Sequence, residues 1–145
     1  MHGARREATE SPSFRVEPRL EKALAALAVT QHGVFTLYQL VDLGLAASTV
    51  RERLATGRLY RVHRGVYSLA PPQLLSRNGR FMAAVLACGL GAALSHRSAG
   101  ALLELVSWNS LKVDVSVPTP GGRSSREGIR VHRATTLRPS DIVLA

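Results

Sequence analysis

Between Ala46 and Leu69 five arginines, Arg51, Arg53, Arg58, Arg61 and Arg64, stand against one acid, Glu52, a net charge of +4. Guanidinium groups grip phosphates and the edge of guanine through paired hydrogen bonds, so a stretch of this kind suits a polyanion. Ser48, Thr49 and Thr56 add hydroxyls, and His63 an imidazole, all of them able to bond phosphate or base edges. Glu52 could accept from cytosine N4, but an ion pair with a neighbouring arginine is the plainer reading.

Other chemistry is harder to find. His96-Arg97-Ser98 offers a base beside a nucleophile, yet neighbours in sequence do not face one another on a helix and no third, orienting residue accompanies them. These residues read as structural, with Ser95 as a cap and His96 or Arg97 hydrogen-bonding between two lobes. His2, His32, His63 and His132 lack metal-ligand spacing, and the single cysteine, Cys88, lies in the apolar run MAAVLACG as a small buried hydrophobe. No catalytic residue, metal or cofactor is expected.

The arginines need elements to hold them, and local signals supply these. Thr36 and Gln39 have capping-box spacing, so a helix should begin at Leu37 and run through Leu40, Val41 and Leu43 to a left-handed cap at Gly44. Ser48 is expected to cap a second helix over Thr49 to Thr56, ended by Gly57. Val50 and Leu54 point inward on it, Ser48, Thr49, Glu52 and Thr56 outward, and Arg51 and Arg53 lie on the flanks. Arg58 to Val62 and Val66 to Leu69 then read as a hairpin turning at His63, Arg64 and Gly65, where glycine supplies a positive φ. Two short helices followed by a basic hairpin form the pattern of a winged helix-turn-helix, in which the second helix enters the major groove and the wing lies on phosphate or in the minor groove. The expected DNA-contacting residues are Ser48, Thr49, Arg51, Glu52, Arg53, Thr56, Arg58, Arg61, His63 and Arg64.

The remaining residues frame this unit. The chain has 145 residues, 46% of them hydrophobic, and a formal net charge of +9; all 19 basic residues except Lys22 and Lys112 are arginines. That charge favours polyanionic partners without selecting a sequence. Residues 1–18 are expected to be a disordered tail, 19–70 a winged helix-turn-helix domain and 71–145 an α/β lobe, in an α+β fold whose second part is small and built of helices and antiparallel strands. The N-terminus has no apolar stretch of a secretory signal, and Phe81 to Leu94 is too short to span a membrane, so a cytoplasmic protein is expected.

Leu20, Leu24, Leu27 and Ala28 recur at helical spacing over Leu20 to Gln31 and mark the core helix beneath the helix-turn-helix. After Pro71 and Pro72, Ser76 should cap a helix to about Ala87 that buries Phe81, Val85 and Leu86. A strand at Ala92 to Leu94 and a helix over HRSAGALLEL follow, the latter burying Ala99, Leu102 and Leu103, with Gly100 hinting at close packing. Residues 112–117 and 128–133 alternate at period two and read as a hairpin or sheet edge around a solvated loop carrying Arg123 and Arg126.

QHGVFTLYQLVDLGLAASTVRERLATGRLYRVHRGVYSL, followed by RFMAAVLACGLGAALSHRSAGALLEL, resembles the N-terminal region of the AbiEi family, antitoxins of type IV toxin–antitoxin systems. The likeness runs from about Leu20 to Ile142 and is most specific at GRLYRVHRGVY and LSHRSAGALLEL. It implies a winged helix-turn-helix that binds its own operator in double-stranded DNA and represses the operon, and a partner toxin of the nucleotidyltransferase class. It also places the DNA-contact role at Thr49, Arg51, Glu52, Arg53, Arg61 and Arg64. Longer proteins of this arrangement look as though they continue into a very-short-patch-repair-like endonuclease. No Pro-Asp followed by Asp/Glu-x-Lys stands here, Asp114 and Asp141 lacking that context, so the alternative reading is a remnant of such a protein without its nuclease.

Overall fold

The computed structural model describes residues 18–118 and 127–134. The expected tail up to residue 17, the loop carrying Arg123 and Arg126, and Asp141 lie outside the described residues. Helix α1 covers 18–30, and Leu24 is buried at its centre with Leu20, Leu27 and Ala28 packed around it. Strand β1 (Val34–Thr36) leads straight into α2 (Leu37–Asp42), then α3 (Ala47–Ala55), β2 (Tyr60–His63) and β3 (Val66–Ser68). The three strands form an antiparallel sheet in the order β1-β3-β2. This is a winged helix-turn-helix within an α+β fold.

The capping box is present: the Thr36 hydroxyl accepts the Gln39 N–H at 3.1 Å, and Gln39 Oε1 accepts the Thr36 N–H at 2.9 Å. At the other end of α2 the Gly44 and Leu45 amides reach back to the Val41 and Leu40 carbonyls with Gly44 at φ +110°, the left-handed closure its glycine allows. Helix α3 starts two residues ahead of the expected position and its N-cap is Ala46, whose carbonyl accepts the Val50 N–H at 3.1 Å; Ser48 lies inside the first turn. Two alanines, good helix formers, open the helix without a side-chain cap. Strand β2 starts later than expected, because the Arg58 and Leu59 amides close α3 by bonding the Arg53 carbonyl at 2.8 and 3.1 Å. Strand β1 carries no signal in the sequence, since three residues show no measurable alternation.

The sheet is buried on both faces. Phe35 and Tyr67 lie opposite each other and pack into the cluster of Leu24, Leu40, Leu45, Val50 and Leu59, among the three helices. Val34 and Val66 point the other way and join a second core with α4 (Arg77–Cys88). Helix α4 follows a short 3-10 turn (Pro72–Leu74) and is capped by Ser76, whose hydroxyl accepts the Gly79 N–H at 3.0 Å. It rests against all three strands of the first sheet and against β4 (Ala93–Leu94) and β5 (Val113–Val117) of a second. Because it is covered on two sides, its buried residues are Gly79, Phe81, Ala83, Ala84, Ala87 and Cys88, while Val85 and Leu86 are only partly covered. Small residues let both sheets approach.

The second sheet runs β4-β5-β6, with β6 at Ile129–Arg133. Strands β4 and β5 are antiparallel, but β5 and β6 are parallel, Val113 opposite Ile129 and Val117 opposite Arg133, so these two strands are not the expected hairpin. Parallel register sets Arg130 and His132 beside Asp114 and Ser116. The carboxylate of Asp114, 5% exposed, then takes His132 Nε2 at 2.9 Å and Arg130 Nη1 at 3.5 Å. Helix α5 (His96–Leu102) lies on β5, and Ser98 Oγ accepts the Asp114 N–H at 2.9 Å and donates to its carboxylate at 3.4 Å. That explains why every residue of β5 is buried despite its polar alternation.

Helix α5 ends earlier than expected and buries Ser98 and Ala101, not Leu103, which is 54% exposed. Its last turn closes through Leu105 N–H to Gly100 O at 2.8 Å with Glu104 at φ +60°. Gly100 meets the returning chain, and a Cβ there would lie 3.1 Å from Val106.

Candidate nucleic-acid interface

The outward face of α3 carries Ser48, Arg51 and Glu52, all exposed, with Thr49 half-buried at its side. Thr56, at the C-cap, is exposed but donates its hydroxyl to the Glu52 carbonyl at 3.0 Å, which ties it to the end of the helix. On the wing, Arg61 and Arg64 are exposed, and neither they nor Arg51 make an ion pair or hydrogen bond with another described residue. Arg61 stands opposite Tyr67 on the edge strand, on the sheet face that the helices cover.

The wing itself is short. Arg64 and Gly65 form the whole turn, Gly65 at φ +76°, and a register shift between Arg61 and His63 bends β2 just before it. His63 is half-buried, and its ring comes within 3.9 Å of where a Cβ on Gly128 would be, at the start of β6. His63 thus reaches towards the second sheet rather than standing at the tip of the wing.

Arg53 departs most from expectation. It is 4% exposed, not on an open flank, and its Nη2 bonds Glu21 Oε1 of α1 at 2.5 Å. Residues three apart share a helix face, so Arg53 follows Val50 into the core. Glu21 precedes Leu24 by the same spacing on α1 and meets it there. Arg58, half-exposed, reaches the same carboxylate oxygen at 3.3 Å. The arginine thereby clamps α3 to α1. Replacing Arg53 with alanine is expected to lower the thermal midpoint while leaving any DNA sequence preference unchanged, as melting curves and competition binding would show; altered base preference with an unchanged midpoint would contradict this placement.

Sequence reasoning missed Glu21, which stands three residues before Leu24 and so at the edge of the inward face of α1.

Residues 22–70 fit the model of a family described as transcriptional regulator, AbiEi antitoxin. That stretch of the chain is similar to AbiEi-type regulators. The match begins in α1 and ends just after β3, so it takes in every element of the winged helix-turn-helix. No curated protein matches the chain. That family is described as regulatory. Among the described residues no helix is long and apolar enough to cross a membrane, and no three His, Cys, Asp or Glu side chains group as metal ligands.

Proposed function

We propose that this chain is a DNA-binding transcriptional repressor, the antitoxin of a type IV toxin–antitoxin system, and that it autoregulates its operon through residues 19–70 while residues 71–145 form a supporting lobe. The observation that carries this reading is the exposed Arg51 on α3 together with the exposed Arg61 and Arg64 of the wing, none of them paired with another described residue, in a stretch similar to AbiEi regulators. Ser48, Thr49 and Glu52 complete the base-reading side; Arg58, Arg61 and Arg64 lie towards the phosphates. A toxin of the nucleotidyltransferase class is the proposed protein partner.

Four exposed arginines predict a log–log slope of binding against salt of roughly −3 to −4. Titrating the chain against the duplex upstream of its own gene and a scrambled duplex at two salt concentrations tests the reading. Preference for the native duplex that persists at the higher salt supports autoregulation, and failure to bind either duplex refutes it. In the same titration Arg51→Ala is expected to weaken binding by about 1–3 kcal/mol and relax base preference, whereas Arg64→Ala weakens all sequences alike.

A further inference from the structure

We infer that Tyr38 is a further phosphate-contacting residue of the proposed DNA face, on the turn of α2 that is bonded to the tip of the wing; this rests on the DNA-binding reading above. The tip of the wing is bonded to the start of α2, because the Leu37 N–H donates to the Gly65 carbonyl at 3.0 Å and Thr36 lies opposite Val66 in the ladder. Tyr38 and Arg64 are each the immediate neighbour of one end of that bond. That bond ties the tip of the wing to the first turn of α2, and both Tyr38 and Arg64 are exposed there.

Tyr38 is 83% exposed, and its hydroxyl has no partner among the described residues. The inward positions around it, Leu37 and Leu40, are taken up by the core of the three helices. In a helix-turn-helix the first helix crosses the DNA backbone while the second reads the groove, and tyrosine hydroxyls are among the groups that bond phosphate oxygens. Tyr38 therefore offers the DNA backbone a neutral phenol donor from α2 in addition to the arginines of the wing, which adds affinity without adding charge or base preference.

The experiment uses the full chain with a fluorescent duplex of random sequence and with the duplex most enriched from that pool by selection. Tyr38→Phe removes only the hydroxyl from an exposed ring, so the thermal midpoint should not move. It is expected to weaken both duplexes equally, by about tenfold, with an unchanged salt slope. Arg64→Ala should instead flatten the slope by about one unit. If Tyr38→Phe binds like the wild type while Arg51→Ala loses affinity, the inference about Tyr38 is overturned and the DNA face stands. If the wild type binds neither duplex, the face itself is overturned, and Tyr38 with it.

Discussion

Phe35→Ala is expected to destabilise the protein by about 3–5 kcal/mol, a large part of the roughly 5–15 kcal/mol by which domains of this size are stable. Phe35 is fully buried and stands on the sheet face that α1, α2 and α3 cover. Truncation leaves a cavity among residues from five elements, and the rigid Leu40, Leu45 and Val50 around it cannot all collapse inward without shifting α3. Urea unfolding followed by circular dichroism would measure the loss, and DNA binding should fall in parallel because α3 loses its seat. A change below about 1 kcal/mol would mean that the ring is not central to this core.

Asp114→Ala is expected to remove about 1–3 kcal/mol. Ser98, fully buried, loses the acceptor of its hydroxyl, and His132 loses its partner at 2.9 Å. Arg130 is half-exposed and returns to water, so its share is small. Asp114→Asn keeps an acceptor of the same shape and should lose less than half as much. Equal losses for the two variants would show that the charge, rather than the hydrogen bonding, holds this corner of the second sheet.

The legible parts of the fold were those written in local chemistry. Thr36 with Gln39, Gly44, Gly57 and Gly65 fixed the helix-turn-helix and the turn of the wing because caps and positive-φ turns depend on residues a few positions apart. The face of α1 followed from the spacing of its leucines. What escaped depended on partners distant in the chain. Period-two alternation locates β5 and β6 but does not reveal strand direction, so their parallel pairing stayed hidden. Arg53 reads as a DNA contact until α1 places Glu21 against it. The burial pattern of α4 rested on a second sheet covering Ala83, Ala84 and Ala87, and alanine carries little hydrophobic signal from which to infer that.

Helix α4 is one wall of both sheets, Val34 and Val66 on one side and Val113, Val115 and Val117 on the other belonging to a single core. Unfolding either sheet alone would strand that helix half-bare in water, so the described residues should melt in one cooperative transition. A duplex held at the wing then stabilises more than the elements it touches, because binding to the native state suppresses every opening that passes through it. Amide exchange in β5, on the far side of α4 from the wing, is therefore expected to slow when DNA binds, by the same factor as exchange in β3.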